Sequence, residues 1–235
     1  MILVQDLNRR EFLGLSLSTL ATFSLAACGQ TTQSKTESAA EDKATSSESG
    51  IEPGHITSSG TLITPYDEGY NKGLHHATIV VQDYGTIKVE LDADVAPISV
   101  SNFAHLANAG FYTGTTFHRI ISGFMVQGGA PTSTSDLSKV VNVLGEFSEN
   151  GVENSISHER GVISMARASS KNSGSSQFFI MHADKPEIDG KYAAFGHVTD
   201  GMDVVDKLAE VPVEDSNGTV AHENQPVIES ITMDD

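Results

Sequence analysis

Arg119 lies within Phe117-His118-Arg119-Ile120-Ile121-Ser122-Gly123-Phe124-Met125-Val126-Gln127-Gly128-Gly129, with Phe117, Ile120, Ile121, Phe124 and Met125 as apolar neighbours. A guanidinium is always charged and carries five N–H donors in a rigid fork, so an apolar setting for one needs a reason. The plain reason is a stem laid on apolar surface with its head in water. The functional reason is a fixed donor beside a water-poor pocket, where preorganised N–H groups lower a barrier by a few kcal/mol.

Two further segments follow in order. One is Gly161-Val162-Ile163-Ser164-Met165-Ala166-Arg167-Ala168, continued by Asn172-Ser173-Gly174-Ser175-Ser176-Gln177-Phe178-Phe179-Ile180. The other is Ile188-Asp189-Gly190-Lys191-Tyr192-Ala193-Ala194-Phe195-Gly196-His197-Val198. The three together resemble the signatures of cyclophilin-type peptidyl-prolyl isomerases, from about Ala77 to Met233, and the stretch from Gly145-Glu146-Phe147 to His158-Glu159-Arg160-Gly161 is similar to bacterial members.

The resemblance implies catalysis of X-Pro cis/trans isomerisation. That reaction takes tens to hundreds of seconds unaided, against a barrier of about 18–20 kcal/mol, because the amide must lose its partial double bond. It requires no nucleophile and no cofactor, only a pocket that binds the twisted amide better than either planar isomer. By resemblance, Arg119, Phe124 and Gln127 are the catalytic residues, with Arg119 the donor to the prolyl carbonyl and ring nitrogen. Phe124, Met125, Phe179, Ile188 and Tyr192 would line the ring pocket, and Gln127, Ala166, Arg167 and Gln177 would hold the substrate backbone. The plain alternative for Phe124, Phe179 and Ile188 is a place in the core, and for the two glutamines the satisfaction of loop backbone.

Three positions depart from the best-known eukaryotic pattern: Arg167 replaces Asn, Tyr192 replaces His, and Glu187 replaces the Trp that contacts cyclosporin. The resemblance therefore implies activity with weak or no cyclosporin binding. A non-catalytic proline-binding or chaperone-like surface module is the principal alternative, and an adhesin on the same scaffold a third.

The elements that must position these residues read as mostly β. Ala77–Gln82 is an apolar run, Asp83-Tyr84-Gly85 a turn, and Thr86–Leu91 alternates with Ile87, Val89 and Leu91 on one face, which predicts a hairpin. Pro97 to Ala109 has helical spacing at Val100, Phe103, Ala104 and Ala107, between Pro97 and Gly110. Met202–Ala209 predicts a second helix with Asp200 as candidate cap, and Val227–Met233 a closing strand. The family resemblance completes this as a closed eight-stranded antiparallel barrel capped by two helices, with the pocket on its outer wall.

The domain, residues 77–235, follows a different front. Residues 1–27 read as a lipoprotein signal peptide: Arg9-Arg10, an apolar run from Phe12 to Leu25, then small residues. Leu25-Ala26-Ala27-Cys28 resembles a lipobox, which makes Cys28 the lipidated first residue of an extracytoplasmic, membrane-anchored protein. Asn8-Arg9-Arg10-Glu11-Phe12-Leu13 also resembles a twin-arginine motif, so the general secretory and twin-arginine routes both fit. From Gly29 to Gly50 no large apolar residue occurs and Ser and Thr supply nine of 22 residues, so 28–50 reads as a disordered tether with a reach of roughly 25 Å. Residues 51–76 form an extension from which Ile63 and Tyr66 are candidates to dock on the domain.

The net charge is −17; the segment before Cys28 carries two residues of each sign, leaving 12 Lys and Arg against 29 Asp and Glu. Nucleic acid is an unsuitable partner for such a chain, and proline-containing polypeptides are the expected one. The nine histidines lack His-x-x-x-His or Cys-paired spacing, so no metal is expected.

Overall fold

The fold comes from a computed structural model in which residues 52–235 are described. The expected signal segment, Cys28 and its tether lie outside the described residues.

The first strands are the two-residue β1 (Thr61–Leu62) and, in the predicted hairpin, the eight-residue β2 (Leu74–Val81). β3 (Gly85–Asp92) pairs with β2 from Val81–Gly85 to Leu74–Asp92, around a turn in which Asp83 takes a positive φ of 65°. Asp tolerates that region because its short side chain bonds locally. Ile87, Val89 and Leu91 point inward and are fully buried, as the alternation requires.

Helix α1 (Pro97–Asn108) begins on Pro97 and ends in a left-handed Gly110, whose N–H bonds Ala107 O while Phe111 N–H bonds Leu106 O. Those two bonds satisfy carbonyls that the last turn would leave free. Its N-terminus has no side-chain cap of its own. The Glu146 carboxylate, 2 % exposed, accepts instead from Ile98 N–H (2.9 Å), Ser99 N–H (2.7 Å) and Ser99 Oγ (2.6 Å). Burial pushes the Glu146 pKa up, and the Ser99 and Ile98 donors oppose it.

The remaining elements are β4 (Phe117–Ile121), β5 (Met125–Gly128), a one-turn α2 (Thr134–Leu137), β6 (Asn142–Val143), β7 (Val162–Met165), β8 (Phe178–Met181), β9 (Ala194–Asp200), α3 (Met202–Leu208) and β10 (Ile228–Met233). Asp200 does not cap α3: it is the last residue of β9, paired with Lys88, and the flanking position is Gly201 at φ 91°. A Cβ there would run into Thr86 O, so only glycine lets β9 turn into the helix this close to β3.

Eight strands form one antiparallel sheet in the order β10-β2-β3-β9-β7-β8-β5-β4. It is a curled, open half-barrel, not the closed barrel expected from the sequence. The reason lies at the outer edge of β4, which is taken by a loop: Ile120 N–H bonds Gly218 O (2.8 Å) and Val220 N–H bonds His118 O (3.1 Å). β10 reaches β4 only through the Thr116–Val227 bridge and its flanking backbone bonds. Pro226, just before β10, has no N–H to extend that contact.

Inside the curl Phe103 of α1 meets Tyr112, Phe178 and Phe195 with ring centroids 5.2–5.6 Å apart. A second apolar cluster of Met125, Val162, Phe179, Met181 and Ala194 lies on the opposite face of the same sheet, with Phe124, Ile188 and Tyr192 packed on it. The extension belongs to the folded unit. Leu62 is fully buried in the main core and β1 pairs in parallel with β6, while Ile63 is only half-buried. Tyr66 does dock, stacked on His105 at 4.4 Å.

Candidate active site

Strand register assembles the site. Arg119 of β4 faces Gln127 of β5, Gln127 faces Phe179 of β8, and Phe179 faces Ser164 of β7, so one row of the sheet carries all four. Because side chains alternate with period two, a slip of one residue would turn the row into the core. Here it faces outward onto the second apolar cluster.

The row borders a cavity of about 130 Å³ lined by Arg119, Phe124, Met125, Gln127, Ala166, Arg167, Phe179, Ile188 and Tyr192. These are nine of the ten candidates named from the sequence. The tenth, Gln177, lines an adjoining recess that shares Gln127, Ala166 and Arg167 with the first and adds Ser173 and Ser175.

Arg119 is fixed from two sides. Its Nε donates to Asn217 O (2.8 Å) and Nη1 to Gln127 Oε1 (3.2 Å), while Gln127 Nε2 donates on to Gln177 Oε1 (2.9 Å). Nη1 also lies 4.0 Å from Met125 Sδ, which leaves the two donors on Nη2 for a substrate. Asn217 sits in the loop that covers the β4 edge, where Gly218 has φ 82° and a Cβ would collide with Ile120 O. The loop that prevents barrel closure therefore also holds the arginine.

Phe179 is 4 % exposed and Met125 1 % exposed, so they form the floor, with half-buried Phe124, Ile188 and Tyr192 as walls. Behind Phe179 lies a group the sequence reading did not single out. His158 is 1 % exposed, stacks on Phe179 at 6.1 Å, and stands edge-on to Tyr192 at 6.5 Å. Its Nδ1 meets Asp189 Oδ1 (2.9 Å) and its Nε2 meets Ser164 Oγ (3.0 Å). Asp189 also accepts from His158 N–H (2.7 Å) and Ser157 Oγ (2.6 Å). The loop bearing Ile188 and Tyr192 is thus tied to the floor. Ser164 is fully buried, so this Ser-His-Asp array has no open side for a nucleophile to use.

Burial holds the His158 imidazole below its ordinary pKa, against the pull of the Asp189 carboxylate. The folded state then binds fewer protons than the unfolded chain just below the unperturbed value of about 6.5. Stability is fully present above that pH and is lost as pH falls toward the depressed folded value. Burial gives His118, beside Arg119, the same sign. The melting temperature is expected to fall between pH 7.5 and 5.5, with a shallower fall in His158→Gln; thermal unfolding across that range checks it, and parallel curves would contradict it.

Arg167 was expected as a backbone contact. Its guanidinium lies between two rings, 5.1 Å from the centroid of Phe147 and 4.7 Å from that of Tyr192. Phe147 and His158 stood out in the sequence only as part of the stretch similar to bacterial members, with no role attached, and Asn217 carried no signal: each acts through a neighbour far away in the chain.

Residues 76–233 match the profile of the family described as Cyclophilin type peptidyl-prolyl cis-trans isomerase/CLD. Peptidyl-prolyl cis-trans isomerase A of Dickeya dadantii is 46 % identical over 135 residues, 55 % of this chain and 69 % of that protein. Peptidyl-prolyl cis-trans isomerase B of Bacillus subtilis is 40 % identical over 144 residues, 61 % of this chain and 92 % of its own. A crystal structure of a Cryptosporidium parvum cyclophilin type peptidyl-prolyl cis-trans isomerase in the presence of the dipeptide Ala-Pro superposes with a TM-score of 0.55 at 30 % identity, covering 68 % of this chain and 99 % of that one.

Proposed function

Since the chain belongs to the cyclophilin-type peptidyl-prolyl isomerase family, we propose that it accelerates X-Pro cis/trans isomerisation in proteins folding outside the cytoplasm. The observation that carries this is a charged donor held rigidly beside the apolar floor and walls of the cavity, Arg119 with Asn217 O and Gln127 Oε1 behind it.

The proline ring enters the cavity between Phe124, Met125, Phe179, Ile188 and Tyr192. Loss of amide conjugation localises the lone pair on the ring nitrogen. The free donors of Arg119 stabilise that twisted state more than either planar isomer, which is the condition for acceleration. Gln127, Ala166, Arg167 and Gln177 hold the peptide on either side. No bond to the substrate forms and nothing is oxidised, so the reaction draws on no cofactor.

The location rests on the sequence ahead of the fold. Cys28 becomes the lipidated N-terminus, residues 29–50 hold the catalytic unit away from the bilayer, and export uses the general secretory or twin-arginine route. Glu187, mostly solvent-exposed where other members carry Trp, supports weak cyclosporin binding. Two assays test the proposal. Catalytic amounts of the protein should speed the proline-limited refolding of an exported protein, and Cys28→Ala should release it from membranes. A chain that captures unfolded protein without changing the slow refolding rate would favour the chaperone-like reading.

A further inference from the structure

Arg167 holds an unusual set of partners for an acidic protein. Its Nε donates to Lys191 O (2.9 Å), its Nη1 to Ala168 O (3.0 Å), and its faces meet Phe147 and Tyr192. Every one of those partners is uncharged. Of the three arginines among the described residues, only Arg160 pairs with a carboxylate, that of Asp206. Lys171, which lines the recess behind Arg167 together with Phe147, also gives its ammonium to a backbone carbonyl, Glu149 O. In a chain with a net charge of −17, guanidinium and ammonium groups at one cavity rim have been left without anionic partners.

The plane of the Arg167 guanidinium is fixed by the two rings, so little side-chain entropy is left to lose on binding an anion. Both hydrogens on Nη2 remain as donors, enough for a charge-assisted hydrogen bond to a carboxylate. Its position is shared: Arg167 lines both the apolar cavity and the adjoining recess with Ser173, Ser175 and Gln177. A peptide leaving the proline cavity by that recess must pass the guanidinium. The protein's other carboxylates repel an acidic peptide only over a Debye length of about 8 Å at physiological salt, so the local charge decides at contact.

We propose that Arg167 reads an acidic side chain flanking the substrate proline, so that the preferred polypeptides carry Asp or Glu within two residues of the X-Pro bond. This rests on the isomerase reading of the same cavity.

The test compares isomerisation of paired peptides carrying Glu or its isostere Gln two residues before, one residue before, or one residue after the proline. For the wild-type chain, kcat/KM at low salt should favour Glu at one or more of these positions by about fivefold, the range of a well-placed exposed ion pair, and the preference should shrink in 0.5 M salt. In Arg167→Gln the Glu:Gln ratio should fall to near unity whatever the overall rate, while Arg167→Lys should keep part of it. A wild-type ratio near unity at all three positions would overturn the inference while leaving the isomerase intact, as would a ratio unchanged in Arg167→Gln. No acceleration of either peptide by wild type would remove the isomerase reading itself.

Discussion

Arg119→Ala is expected to lower kcat/KM for a prolyl peptide by at least about a hundredfold, the scale of losing one preorganised donor from a water-poor site. The fold should survive, because the side chain is only half-buried and its removal orphans Asn217 O and Gln127 Oε1 at the surface of the sheet. The ring pocket of Phe124, Met125 and Phe179 keeps its apolar surfaces and loses only the Nη1 contact to Met125 Sδ. Peptide affinity should therefore weaken by less than about tenfold, since the apolar contacts serve planar and twisted amides alike. Peptide titration and progress curves on the same preparation check both halves. Equal losses in affinity and rate would mean that Arg119 only binds.

The second large effect is on stability. Glu146→Ala should cost about 3 kcal/mol, because it leaves Ile98 N–H, Ser99 N–H and Ser99 Oγ–H buried without an acceptor at the start of α1. For a folded unit of this size that corresponds to a melting temperature lowered by about 6–12 °C. Glu146→Gln retains one acceptor and should lose less. The change should also reach the pocket, since Phe147, the next residue, supports the Arg167 guanidinium. Calorimetry distinguishes the two variants; an alanine variant as stable as wild type would show that water replaces the carboxylate at no cost.

The hairpin, α1, α3 and the last strand follow from local patterns, namely alternation at Ile87, Val89 and Leu91 and the Pro97–Gly110 frame of a helix. The cavity-lining residues were legible only through their resemblance to a family, because nothing in the order Arg119, Gln127, Phe179 states that these three sit side by side across strands. Register does that. What escaped were effects of long-range contact. The half-barrel stays open because the loop at Gly218 occupies the β4 edge, α1 is capped by a residue 48 positions away, and His158 meets Asp189 across 31. Leu62 lies in the 51–76 extension, where Ile63 and Tyr66 were the docking candidates, yet its parallel pairing with Val143 carries it into the core.

The central claim is that this cavity turns over prolyl bonds, and the rate of cis-to-trans conversion of a short X-Pro peptide measured with catalytic amounts of the folded protein tests it most directly. The account predicts acceleration proportional to enzyme concentration, with each molecule converting many peptides. A folded protein that binds the peptide and leaves the conversion at its uncatalysed tens to hundreds of seconds would contradict it.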